Sequence, residues 1–229
     1  MTPLLVLLFG VHPMTAVGTD LLFAGGTKAL GTLMHGRNRT VDWRISLWLA
    51  AGSLPATAVT LFVASRFDIQ RTGASWWLGL VLAAAMMLTA ASLVFRPMII
   101  RASARAVARD AGVTVRLTVL TGVVLGVLVS LTSVGAGAIG MMALLILYPK
   151  VSTARLIGSD IAHAVPLTFL AGVGHWVMGS VNFGLLGSLL LGSLPGVVLG
   201  SLFVVRVPDV VLRTVLAVTL VVVAFRMVV

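Results

Sequence analysis

Cysteine is absent from all 229 residues, which excludes disulfides, thiolate metal sites and thiol nucleophiles together. Charge is scarce: 10% of the chain is charged, and only six residues are acidic. Short alternating strands, the pattern of a membrane barrel, are missing as well. The chain also carries no Gly-x-Ser-Gly nucleophile loop, no His-Glu-x-x-His metal pair and no paired aspartate motif of the intramembrane protease type. A membrane-embedded enzyme therefore finds no support, and no cofactor is expected.

What is present is apolar sequence. Hydrophobic residues make up 59% of the chain and the mean hydropathy is +1.15, more apolar surface than one soluble core could hide. Runs such as Trp76 to Phe95 and Phe183 to Val205 reach the roughly 20 residues that a spanning helix needs. The net charge of +10 comes from sixteen basic residues, mainly in short loops between those runs. Loop arginines and lysines of this kind mark the cytoplasmic face and do not indicate nucleic acid.

In chain order, Thr2 to Val11 is apolar but about half the length of a span, and it lacks the basic start and cleavage site of a signal peptide. Met14 to Met34 is a polar span holding Thr19, Asp20, Thr27 and Lys28. The loop His35 to Arg44, with Arg37, Arg39 and Arg44, is expected in the cytoplasm. Ile45 to Ala64 leads to an outer loop carrying Arg66, Asp68 and Arg71, and Trp76 to Phe95 returns, with Trp76 and Trp77 at the interface. Arg96 to Arg116, holding five arginines and Asp110, reads as a cytoplasmic amphipathic linker. Leu117 to Leu131 then enters the bilayer, Ser133 to Gly140 interrupts it, and Met141 to Leu147 continues to Lys150 and Arg155. Those cations belong on the side the segment started from, which predicts a broken, re-entrant hairpin. Leu156 to Trp176, Phe183 to Val205 and Val210 to Met227 complete the chain.

The chain also repeats itself. A shift of 140 positions carries Gly18-Thr19-Asp20 onto Gly158-Ser159-Asp160, His35 onto His175, Val41-Asp42-Trp43 onto Val181-Asn182-Phe183, and Gly52-Ser53-Leu54-Pro55 onto Gly192-Ser193-Leu194-Pro195. The basic loop His35 to Arg44 falls on His175 to Asn182, which has no lysine or arginine, so the two copies are expected upside down relative to each other. The predicted fold is an all-α integral membrane protein with about seven spanning helices in two inverted repeats. The units are residues 1–95, a basic linker 96–116, and residues 117–229. Met1 falls on Met141, so the first half lacks a counterpart of Leu117 to Gly140, and the chain is expected to start late relative to a whole unit.

The paired Gly-Thr/Ser-Asp segments, the exit Thr40-Val41-Asp42-Trp43-Arg44, the Gly-Ser-Leu-Pro within a span and the glycine-rich break resemble the sulfite exporter TauE/SafE family over essentially the whole chain. The resemblance implies a bacterial inner-membrane carrier of sulfite, sulfonates or related organic or inorganic anions, working without ATP-binding domains. A non-transporting membrane subunit is the rival expectation.

The residues suggest how such a carrier would hold an anion. The attractive groups are Lys28, the hydroxyls of Thr19, Thr132, Ser133 and Ser159, and the amides around Gly135 and Gly137 at the start of a half-helix. Close helix packing is the competing explanation of the glycines. Lys28 lies eight residues beyond Asp20, about 12 Å along a helix, so it either faces the site or extends toward the cytoplasm. Asp20 and Asp160 are costly in a bilayer; each serves either as a proton or cation relay or as a cap on backbone amides. His163, one turn after Asp160, is a relay or an ordinary packed residue. The expected partners are a small anion, the lipid bilayer and a coupling proton or cation, with an oligomer left open and no metal.

Overall fold

The computed structural model describes residues 1–37, 40–66, 75–104, 110–135, 137–204 and 209–228. Arg39, Asp68, Arg71, Arg105 and Arg109 lie outside the described residues, as do Ala136 and the side chains of His35, Arg37, Trp76, Trp77 and Pro195. Within the described residues every regular element is a helix: α1 Thr2–Phe9, α2 Pro13–Arg37, α3 Trp43–Arg66, α4 Ser75–Ala104, α5 Ala111–Thr132, α6 Ala138–Leu147, α7 Thr153–Val177, α8 Phe183–Val204 and α9 Asp209–Val228. Apolar sequence becomes helical here because a backbone amide in hydrocarbon has to find its acceptor within its own segment. The protein is a multi-pass membrane protein.

Among the described residues four helices are long and apolar enough to cross a bilayer, over Trp43–Arg66, Leu80–Arg101, Ala111–Thr132 and Thr153–Val177. The expected seven also include α2, α8 and α9, which do not meet that measure over their described residues. At 25 residues α2 is as long as α7, yet it carries Asp20, Thr27 and Lys28; the described apolar stretches of α8 and α9 are Phe183–Ser193 and Thr214–Arg226. Two helices are half-length. The ten residues of α6 cover about 15 Å, half of a hydrocarbon core.

The broken hairpin forms as expected. The start of α5 and the end of α6 lie side by side, with Thr118 and Tyr148 sharing a hydrogen bond of 2.9 Å between their hydroxyls. Ala111, Thr114, Leu147 and Lys150 line one cavity at that end. The chain therefore enters on α5 and returns on α6 to the same side.

The expected linker helix differs. Helix α4 runs without a stop through Arg96, Pro97 and Arg101 to Ala104, and α5 already begins at Ala111 with Arg116 in its second turn. Met98, Ile99 and Ile100 continue the apolar run past Arg96, which sustains the helix where a count of arginines suggested a surface segment. Asp110 starts α5 by accepting the Gly112 amide at 3.0 Å.

Small residues set the packing. A β-carbon at Gly52 on α3 would collide with the Val119 carbonyl on α5, and one at Gly122 on α5 with the Leu49 carbonyl on α3. Lipid tails are as apolar as leucine, so close backbone approach supplies the attraction that water would otherwise drive. Around that seam Ile45, Leu49, Leu125, Met141, Leu144, Leu145 and Leu156 form one buried cluster joining α3, α5, α6 and α7.

Helices α2 and α7 are antiparallel, and their contacts are reciprocal. Gly18, near the start of α2, rests on the Ser180 carbonyl just past α7; Gly158, near the start of α7, rests on the Thr40 carbonyl just past α2. The Asn182 amide donates to Thr19 Oγ1 at 3.0 Å, and the Asp42 amide donates to Ser159 Oγ at 2.8 Å. Each contact is the other's image at the 140-residue shift, the pattern that a two-fold relation produces.

Candidate functional site

The break between α5 and α6 is built by three local devices. Ser133 adopts a left-handed conformation, φ 56°, and its amide closes the last turn of α5 on the Val129 carbonyl at 2.8 Å. Thr132 donates to the Leu128 carbonyl at 2.6 Å while accepting the Val134 amide at 3.1 Å, so its hydroxyl serves the turn. Gly135, at φ 102°, holds a conformation that a side chain rarely adopts. Gly137, itself exposed, then starts α6 with no side-chain cap, while the Ile139 amide donates to the Gly135 carbonyl at 3.0 Å.

The two repeat-related aspartates have different surroundings. Asp20 Oδ2 accepts the Thr2 amide at 2.8 Å, the Thr2 hydroxyl at 2.7 Å and the Ser133 hydroxyl at 3.2 Å. It thus ties the start of α1 to the break. Asp160, also 4% exposed, keeps Oδ1 without a partner. That oxygen lies over Gly140, 2.5 Å from where a β-carbon would stand, beside the first turn of α6.

Other expected residues fall around this pair. Lys28 is half-buried, and its charge acts on Asp160, Asp20 and His163. His163, 1% exposed, bonds through Nε2 to Ser53 Oγ at 2.8 Å and leaves Nδ1 unpartnered. Thr19 and Ser159 are fully buried and stand apart from the break, their oxygens taking the amides of Asn182 and Asp42. Ser159 additionally donates to the Arg155 carbonyl at 2.7 Å.

A cavity of about 320 Å³ lies between α4, α6 and α7, lined by Ser92, Arg96, Gly137, Ala138, Met142 and Asp160 among others. Arg96 was not among the expected site residues. Its buried Nε has no hydrogen-bond partner. The signal was local: Arg96 stands between Phe95 and Pro97-Met98-Ile99-Ile100, a cation with apolar sequence on both sides. Ser53 was quoted as part of a motif without a role, and Thr2 gave no signal. Among the described residues no group of three or more histidine, aspartate or glutamate side chains is placed to hold a metal ion.

The sulfite exporter TauE/SafE family model matches residues 1–227. The chain belongs to the sulfite exporter TauE/SafE family. It is similar to the probable membrane transporter protein YjnA of Bacillus subtilis (strain 168), at 32% identity over 192 residues, covering 83% of this chain and 75% of that protein. No solved structure matches. A TauE/SafE membership makes this a membrane transporter and not an enzyme.

Proposed function

We propose that the chain is a secondary carrier of small anions, sulfite, sulfonates or related organic acids, in the bacterial inner membrane. The observation that carries this reading is the half-helix α6, which begins at the break without a side-chain cap and has the buried Asp160 against its first turn, with Lys28 and Ser133 half-buried. Helix starts favour anions because their amides and dipole present positive charge without a mobile cation. Gly135 and Gly137 let an anion approach the backbone, and Lys28 supplies a full charge.

Transport would follow from rocking of residues 1–95 against residues 117–229, as inverted units in other carriers move about a fixed central site. The reciprocal α2–α7 contacts support this division, since they form a seam with equal bonds on each side. Asp160 is the coupling group in this scheme. It lines the same cavity as Arg96, and its Oδ1 has no partner, whereas Asp20 is fixed by the amide and hydroxyl of Thr2. Asp20 remains structural. Flux of sulfite, sulfoacetate and taurine into proteoliposomes holding the purified chain tests the proposal. Accumulation above protein-free vesicles is expected for at least one; no flux of any would overturn it.

A further inference from the structure

The cavity between α4, α6 and α7 is lined by a basic and an acidic side chain that do not pair with each other. Arg96 comes from α4 with its buried Nε unpartnered, and Asp160 comes from α7, 4% exposed, with Oδ1 unpartnered. No ion pair joins them among the described residues. Both groups line the same space of about 320 Å³, and the uncapped first residues of α6, Gly137 and Ala138, form a third side. A water occupies about 30 Å³, so the space fits several non-hydrogen atoms beyond a single solvent molecule. An arginine and an aspartate inside the bilayer are both costly, and together they define what a ligand must supply.

We infer that Arg96 and Asp160 form a two-point binding site for a small oxyanion that also carries a hydrogen-bond donor. The oxyanion end lies against the Arg96 guanidinium and the amide end of α6, where planar donors and helix dipole favour it. The donor end, an ammonium or a protonated oxygen, meets Asp160 Oδ1. An anion without a donor leaves the buried Asp160 Oδ1 without a partner. An amine without an oxyanion leaves the guanidinium unpaired. Bidentate charge recognition also distinguishes arginine from lysine at this place. The inference rests on the anion-carrier reading above and adds Arg96 and the donor requirement to it.

The test uses the full chain purified in detergent, with 2-aminoethanesulfonate and ethanesulfonate as probes in calorimetric titrations. These differ by one ammonium group. At least tenfold tighter binding of the amino compound is expected in the wild type. That preference should vanish in Asp160→Asn, and both probes should weaken at least tenfold in Arg96→Gln, with partial recovery in Arg96→Lys. Ser92→Leu narrows the cavity from α4 without changing charge; it should weaken both probes even if Arg96→Gln fails to fold. Equal binding of the two probes by the wild type would overturn the inference, as would unchanged binding in Ser92→Leu. Sulfite flux by a wild type that shows either of these results would leave the carrier reading standing, whereas absence of any binding and any flux would remove both.

Discussion

The Asp42 amide donates to the hydroxyl of Ser159 across 117 positions of sequence, and the image of that bond joins Asn182 to Thr19. Two helices thus clasp each other by the same contact made twice. The adjoining glycines are what let the backbones come so close.

Gly158→Leu is therefore expected to push α7 away from the Thr40 carbonyl and to cost about 1–3 kcal/mol, as overpacking does. Gly18→Leu should cost a similar amount against Ser180. Thermal unfolding of the detergent-purified variants measures both; a midpoint equal to wild type in either would contradict the reciprocal packing.

Gly52 and Gly192 are images in sequence with different neighbours. A β-carbon at Gly52 meets the Val119 backbone, whereas at Gly192 nothing lies within 4 Å. Gly52→Ala should lower the unfolding midpoint by an amount equivalent to about 1–3 kcal/mol, and Gly192→Ala should leave it near wild type. Equal losses would show that α8 packs as α3 does.

Ser53→Ala would leave His163 Nε2 without its partner in a site where Nδ1 already lacks one. An unsatisfied buried nitrogen costs about 1–3 kcal/mol. Chemical denaturation in detergent is the readout, and a variant as stable as wild type would mean that the histidine finds another acceptor or donor.

Asp20 holds α1 by two bonds to Thr2. Because the chain has no cysteine, Leu5→Cys introduces a single reporter at a position only 3% exposed. Maleimide labelling of that cysteine should speed up at least tenfold when Asp20→Ala is added. Unchanged labelling would show that α1 is held by its apolar contacts alone.

At Gly137 nothing lies within 4 Å of an added β-carbon, yet the residue lines the cavity. Gly137→Leu should insert and fold as wild type does while losing anion flux. Retained flux would separate the break from the transport path.

Much of this was legible before any coordinate. The break was expected at Ser133 to Gly140, and α5 ends at Thr132 while α6 begins at Ala138, because glycines and a positive-φ turn are local properties of the chain. The shift of 140 residues relates Gly18 to Gly158, and their partners Ser180 and Thr40 stand at the same shift, although the sequence reading named no contact between them. The extent of α4 was misjudged at Arg96, where arginines were weighed by number and not by the apolar residues that follow them.

Hydropathy and self-similarity are properties of neighbouring residues and of chain register, so the sequence alone determined a membrane protein with a broken helix and two related segments. The unequal fates of Asp20 and Asp160 were decided by tertiary structure. One carboxylate meets the start of α1, while the other meets a cavity into which Arg96 arrives from 64 positions away in the chain. Identical motifs diverge there because a charge inside a bilayer is governed by what the neighbouring helices bring to it.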